Sequence, residues 1–355
     1  MIVAAMDQPN SSFAIVLLFS LVVLACLGAW AGIAARLSRG DALVPLVSRR
    51  PAPWTVVDVV LIVVAYVLLT TAIGWALTRS DGAQPDEDPA KAIEAYTTIR
   101  LLSASALSNI IAVVFSIGLL SIRTGAARND LGFPGGQLAG DLLLGGAAFA
   151  AVSVPIYALQ FALTRFFPSR HPVVSILEID HGPLTMAWVA LIAVVIAPIA
   201  EEFLFRVVMQ GWLEAAEARH CGTSGLASRS GLALTDPDPT SGQALTYESH
   251  PAETENPYQS PGFLPSEGTS TPPDIATQSK LGFAGLPRGV IPVVATSAVF
   301  ALLHAGHGPD PIPLFLLALV LGFLYQRTHR VLPGIVLHMC LNGTSMLMFW
   351  MGGGG

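Results

Sequence analysis

Charged side chains are scarce in this sequence. Asp, Glu, Lys and Arg make up 12% of its 355 residues, about half of the roughly 25% that soluble domains carry. The net charge is −6, and no basic cluster interleaved with aromatic residues appears, so nothing supports binding to nucleic acid. Hydrophobic residues reach 53%, with a mean hydropathy of +0.62, which is typical of a membrane protein.

Cysteine pairs and local metal-binding motifs are missing as well. The three cysteines, Cys26, Cys221 and Cys340, show no CxxC spacing and no pattern that indicates a disulfide framework. The sequence also has no HExxH, the pattern that places two zinc ligands and a general base on one helix. A metal site therefore cannot be argued from any local pair of ligands.

Long apolar blocks fill most of the chain. Each is close to the 20 residues that a helix needs to cross a hydrocarbon layer of ~30 Å. The blocks do not alternate in polarity as the strands of a membrane barrel do. We therefore predict an all-α fold, a polytopic helical bundle of about eight transmembrane helices in the cell membrane. The predicted spans are 12–36, 54–78, 101–122, 139–166, 184–212, 289–305, 311–327 and 331–351.

Arginines in the short loops predict the orientation, because cytoplasmic loops are enriched in Lys and Arg. The first, third and seventh loops are rich in arginine, whereas the second is acidic. We therefore expect the odd-numbered loops in the cytoplasm and both termini outside. The arginines behind this expectation are Arg36, Arg39, Arg49, Arg50, Arg123, Arg128, Arg327 and Arg330.

One polar segment, residues 219–287, interrupts the apolar second half. It is rich in Pro, Ser, Thr and Glu, so it cannot bury enough apolar surface to offset the entropy of ordering. We predict a disordered cytoplasmic tether there, with recruitment of a partner as the alternative. The chain then divides into four N-terminal spans (1–182) and a core (183–350) that this loop interrupts.

Ionisable side chains deep in apolar helices mark the place to look for chemistry, because inserting each one costs about 2.5–3.5 kcal/mol. In the block IAPIAEEFLFRVVMQGW, Glu202 and Arg206 are four residues apart and can pair on one helix face. Glu201 is rotated about 100° from Glu202 and has no local partner. Such a carboxylate is a candidate general base.

Two further apolar helices carry histidine. His304 follows Phe300 by one turn at the end of the block SAVFALLH, and His338 lies four residues before Asn342 in the last span. Two polar groups on one stripe of a membrane helix must face protein or a water-filled cavity. The three blocks together supply carboxylates, an arginine, imidazoles and an amide, which is the inventory needed to activate a water molecule.

These blocks resemble the motifs of the CPBP (Abi) family of intramembrane proteases, which includes the type II CAAX prenyl endopeptidases and bacteriocin-immunity-type proteins. The family pattern is EExxxR, FxxxH and HxxxN on successive apolar helices. Here the three motifs read, in order, Glu201-Glu202-x-x-x-Arg206, Phe300-x-x-x-His304 and His338-x-x-x-Asn342. The resemblance covers about residues 183–350, and no motif is recognised in the first four spans.

The resemblance implies an intramembrane endopeptidase that acts on a membrane-associated protein or peptide. Glu201 would polarise the attacking water with help from His304, and Glu202 with Arg206 would hold the geometry of the site. The family usually has Gly directly after the arginine, where this chain has Val207, and its members generally lack the polar segment.

The roles of the last motif and of a metal are also taken from the resemblance. His338 and Asn342 would stabilise the oxyanion of the tetrahedral intermediate. A rival assignment within the family makes His304 and His338 the ligands of a zinc ion that activates the water. The sequence alone leaves both assignments open.

Two other functions remain as alternatives. A proton-coupled transporter would also carry ionisable groups in mid-membrane, but it would more often show inverted repeats, and none is visible. A non-catalytic scaffold or immunity-type protein of the same fold would be expected to have a broken motif. The protease interpretation requires span five to continue well past Pro198 as a long or kinked helix, since only then do Glu201 and His304 meet at one depth.

Overall fold

The computed structural model describes residues 9–48, 50–79, 89–167, 182–230, 282–306 and 308–351. Within these ranges the chain folds into apolar helices, and the predicted all-α membrane bundle is confirmed. The helices are α1 (Pro9–Ser38), α2 (Val56–Arg79), α3 (Pro89–Thr124), α4 (Leu138–Thr164), α5 (183–230), α6 (Val290–Leu303), α7 (Pro311–Thr328) and α8 (Leu332–Met351).

Seven of the described helices are long and apolar enough to cross a membrane, whereas α6 has only 14 residues. At 1.5 Å per residue, α6 is about 21 Å long, which is shorter than the ~30 Å hydrocarbon layer. The eight predicted spans thus become seven long helices and one short helix. Because α6 is short, it cannot cross the whole layer by itself.

The fifth helix is unusually long, as the protease interpretation required. Its apolar part, Pro183–Cys221, has 39 residues, and Glu201 lies near the middle of it. The helix is continuous through Pro198, but two π-helical segments flank the carboxylates. Its consecutive segments are Pro183–Ala190, Leu191–Ile196 (π), Ala197–Glu202, Phe203–Gln210 (π) and Gly211–Ser230.

The predicted polar loop differs from the structure at both of its ends. Residues 219–230 continue α5, because no proline occurs there to end the helix. At the other end, Phe283–Gly285 forms a 3₁₀ turn. Glu217 of α5 accepts hydrogen bonds from the backbone N–H groups of Phe283 (3.0 Å) and Gly289 (2.7 Å), so the returning chain is tied to α5. The rest of the predicted loop, 231–281, lies outside the described residues.

The odd-numbered loops meet at one end of the bundle. Arg327 donates a hydrogen bond to the carbonyl of Val44 (2.8 Å), and Val331 N–H donates to Gly132 O (3.1 Å). These contacts place the arginine-rich loops on one side of the membrane. The assignment of that side to the cytoplasm remains a prediction.

The N-terminal helices pack around the C-terminal core. α1 packs on α4, α4 packs on α8, and α2 packs on α3, which in turn contacts the middle of α5. Trp54, before α2, is fully buried and donates to the carbonyl of Val208 in α5 at 2.9 Å. At Gly145 a Cβ atom would lie 2.6 Å from Val336 Cβ, so glycine is what lets α4 approach α8 this closely.

Candidate active site

A buried carboxylate, Glu202, lies at the centre of the polar cluster. Its Oε2 accepts a hydrogen bond from Arg206 Nε at 3.2 Å, and its Oε1 lies 3.2 Å from His338 Nδ1. All three side chains are at most 4% exposed, so the charges of Glu202 and Arg206 are compensated within the protein. The predicted ion pair therefore forms, and it extends to the last helix.

The last helix can approach Glu202 because it has glycine at position 334. A Cβ atom there would lie 2.9 Å from Glu202 Oε2, closer than real side-chain contacts allow. Gly334 is one turn before His338, so the same stretch of α8 leaves space for the Glu202 carboxylate and supplies the imidazole that bonds it. Glu202 thereby fixes the His338 ring, with Nδ1 toward Glu202 and Nε2 toward Glu201 at 3.8 Å.

An aromatic ring, Phe300 of α6, joins the two histidines. Its centroid is 4.7 Å from the His304 ring and 6.0 Å from the His338 ring. The Arg206 guanidinium lies 5.7 Å from the same centroid, close enough for a cation–π interaction. Phe300 is fully buried, so it positions all three groups.

Glu201 differs from its neighbour in being accessible. Its side chain is 28% exposed, whereas that of Glu202 is fully buried. Together with His304, Glu201 lines a cavity of about 160 Å³ between α2, α3, α5 and α6. Water takes about 30 Å³ per molecule in the liquid, so the cavity can admit water and part of a substrate.

The His304 ring is oriented by its own helix. Its Nδ1 lies 2.8 Å from the Phe300 carbonyl, and because a carbonyl oxygen only accepts, Nδ1 must carry the hydrogen of this bond. In the neutral ring the lone pair is then on Nε2, the nitrogen that could accept a hydrogen bond from water.

Asn342 contacts α5 about two turns before the carboxylates, in the first π segment. In this segment the Ala197 N–H bonds Ile192 O, five residues back. The next bond in the series would run from residue 198 to Ala193 O, but Pro198 has no N–H. Asn342 Nδ2 donates to Ala193 O at 2.8 Å and satisfies the carbonyl that the proline leaves without a partner.

The structure thus brings Glu201, Glu202, Arg206, His304 and His338 to one place. Asn342 faces the same helix but is engaged with Ala193 O. Among the described residues, no three His, Cys, Asp or Glu side chains gather in an arrangement that could hold a metal ion. The rival assignment, in which His304 and His338 would bind a zinc ion, stays a prediction, and we derive no step through a metal.

Val207 replaces the glycine that the family usually has after the arginine, and the structure accommodates it. Val207 is fully buried. A glycine on the partner segment, Gly132 (φ 80°), leaves the space, since a Cβ there would lie 3.4 Å from Val207 Cγ2 and 3.2 Å from Val331 N. The two segments therefore still approach closely, but the glycine that permits it is Gly132 and not the residue after Arg206.

One wall of the cavity comes from helices in which the sequence showed no motif. Tyr66 of α2 and Asn109 and Ser116 of α3 line it opposite Glu201. The signal that could have found Asn109 is a carboxamide inside the apolar block SNIIAVVFS. A single neutral polar residue is common in membrane helices, so it did not stand out beside the charged motifs.

Comparison with known proteins agrees with this part of the chain. The family model of the Rce1-like type II CAAX prenyl endopeptidases matches residues 183–232 and 276–344. Comparison with curated proteins and with solved structures gives no match. The family match contains all three motifs and omits residues 233–275, which are an insertion relative to the family model. The core of this multi-pass membrane protein is therefore similar to the Rce1-like type II CAAX prenyl endopeptidases, which supports the resemblance that the CPBP-like motifs indicate.

Proposed function

We propose that the protein is an intramembrane endopeptidase that hydrolyses a peptide bond of a membrane-associated protein or peptide. The observation that carries the proposal is the shared cavity, in which an accessible carboxylate, Glu201, and an oriented imidazole, His304, face the same space inside the membrane. A structural ion pair would need neither the accessibility nor the cavity.

In the proposed reaction, Glu201 takes a proton from a water molecule while the water oxygen attacks the carbonyl carbon of the substrate. His304 Nε2 accepts the second hydrogen of that water as a hydrogen bond and so orients it. The C–N bond then breaks, and Glu201 passes its proton to the departing amine. The products are a carboxylic acid and an amine; the remaining water proton then passes from the acid to the amine, giving a carboxylate and an ammonium group, so atoms and charge balance.

The negative charge that develops on the carbonyl oxygen of the substrate must be stabilised by a hydrogen-bond donor. His338 Nε2 is held toward Glu201 because Glu202 fixes the other side of the ring. We assign the oxyanion role to His338 in its protonated form. Asn342 was expected to share this role; its bond to Ala193 O supports a positioning role, in which it holds α8 against α5.

A cleavage assay tests the proposal. The purified protein in lipid nanodiscs is incubated with a peptide library that includes peptides bearing an S-prenylated cysteine followed by three residues. We expect cleavage of a subset of peptides, and we expect it to persist when a metal chelator is added. Loss of cleavage with chelator, restored by zinc, would replace the glutamate mechanism with the rival zinc mechanism. Absence of cleavage across the library by folded protein would contradict the enzyme proposal.

A further inference from the structure

The cavity that Glu201 lines also has a buried carboxamide on α3 that makes no hydrogen bond with the described part of the protein. Asn109 is 7% exposed and lines the cavity. Its neighbour on α3, Ser108, is equally buried but donates to Ala104 O at 2.7 Å. A buried amide without a partner costs free energy, so the position of Asn109 calls for a ligand in the cavity.

The placement of Asn109 on α3 is regular. Residues 109, 112, 113 and 116 all line the cavity, and this spacing describes one face of a helix. The helix itself is held to α5, since Trp188 Nε1 donates to Ser103 Oγ at 2.9 Å. Of its two polar members, Ser116 is satisfied within its own helix by Ala112 O at 2.6 Å. Asn109 alone on this face presents a spare donor and a spare acceptor to the cavity.

A peptide substrate carries backbone groups that could pair with this carboxamide. To reach a site inside the bilayer, an extended segment must leave water, and each backbone N–H and C=O that remains without a partner costs several kcal/mol. A carboxamide carries a donor and an acceptor side by side and can pair with both groups of a peptide backbone. The other residues that line the cavity, such as Ile62 and Leu303, are largely apolar and offer few such partners.

We propose that Asn109 is a substrate-binding residue, which pairs through Nδ2–H and Oδ1 with the C=O and N–H of the peptide backbone beside the bond that is cut. This inference rests on the proposed function and adds a subsite from the N-terminal helices, outside the residues that the family model matches. The site is then completed by α3 and is not confined to the three motifs.

Binding in the absence of turnover tests this subsite. Glu201→Gln protein is titrated with the library peptide that the unmodified protein cuts fastest, with Asn109→Leu and Asn109→Ser added in turn. We expect the dissociation constant to rise about tenfold for Asn109→Leu, in line with one lost pair of backbone hydrogen bonds. Asn109→Ser, which keeps a hydroxyl, should lose less. Ser108→Ala is the matched control and should change affinity by less than about twofold, because Ser108 is bonded within its helix and does not line the cavity.

A methylation scan separates a backbone contact from a general change of the cavity. N-methylation of one particular amide in the peptide should weaken binding to the Asn109 protein about tenfold and leave binding to the Asn109→Leu protein nearly unchanged. Equal sensitivity of both proteins at every position would overturn the proposal, as would unchanged affinity in both Asn109 variants. In those cases cleavage by the unmodified protein would still stand, whereas a library without any cleaved peptide would remove the proposed function and this inference together.

Discussion

The two halves of the chain share the same apolar helices but use their buried charges differently. In the N-terminal half, Asp58 pairs with Arg123 (2.7 Å) and Asp141 pairs with Arg330 of the seventh loop (2.6 Å), all at the end of the bundle where the odd-numbered loops meet. In the C-terminal half, Glu202 pairs with Arg206 and His338 near the middle of α5.

The difference in depth shows what each set of charges does. The pairs at the helix ends hold loops in place: Arg123 is 48% exposed, and Arg330 also donates to Gln137 Oε1 at 2.6 Å before α4. A pair at mid-depth must be desolvated completely, and a well-packed apolar replacement would often be as stable. The pair at mid-depth therefore points to function, whereas the pairs at the end account for how the helices are held.

The largest expected effect is a loss of peptide cleavage, and it comes from two residues of the C-terminal half. Glu201→Gln and His304→Ala should each lower kcat/KM for the cleaved peptide by about 10²–10⁴-fold, because each removes a group that handles the protons of the attacking water. Helix content and the elution volume in detergent should remain unchanged. Full activity in either folded variant would remove that residue from the mechanism.

The second effect concerns the buried clamp. Glu202→Gln leaves Arg206 without its counter-charge and gives His338 a neutral amide in place of a carboxylate, so we expect a loss of about 3–5 kcal/mol of stability together with loss of cleavage. In the double variant Glu202→Gln with Arg206→Met, much of the stability should return while cleavage stays absent. Thermal unfolding in nanodiscs measures the first quantity and peptide hydrolysis the second. Recovery of cleavage in the double variant would show that the clamp has no role in positioning His338.

A smaller effect, on stability, is expected where α4 of the N-terminal half packs against α8 of the C-terminal half. Gly145→Ala would place a methyl group 2.6 Å from Val336 Cβ and 2.7 Å from Pro333 O. The resulting separation of α4 and α8 should cost about 1–3 kcal/mol. Gly146→Ala is the matched control, because nothing lies within 4 Å of its Cβ position. Equal unfolding temperatures for the two variants would contradict the close packing of α4 on α8.

Much of this arrangement could be predicted from the sequence. Apolar blocks of membrane length define the helices, and the spacing between Glu202 and Arg206 predicts their pair. The position of His338 between two carboxylates could not be read off, because it depends on Gly334 and on the length of α5. The engagement of Asn342 with Ala193 O follows from Pro198 only once the π-helical bond pattern is known. The part played by Asn109 depends on which face of α3 meets α5, and no local pattern carries that information.

The smallest effect is expected from the insertion. Replacement of residues 233–275 by a short Gly/Ser linker should change kcat/KM by less than about twofold, since the family model matches on both sides of this stretch and its composition cannot support a packed core. The linker keeps Glu217 and the residues that it bonds, Phe283 and Gly289. Loss of membrane insertion or of cleavage would show that the segment is more than a tether.

The central claim is that Glu201 and His304, which come from two different helices, line one water-accessible cavity inside the membrane, and that His338 of a third helix is held beside Glu201. An experimental structure of the protein in a lipid nanodisc, at a resolution that shows side chains, tests it most directly. We expect Glu201 Oε2 within about 4 Å of His338 Nε2, His304 on the wall of the same cavity, and ordered water between the Glu201 carboxylate and the His304 ring. A structure in which these side chains point to separate surfaces would contradict the account.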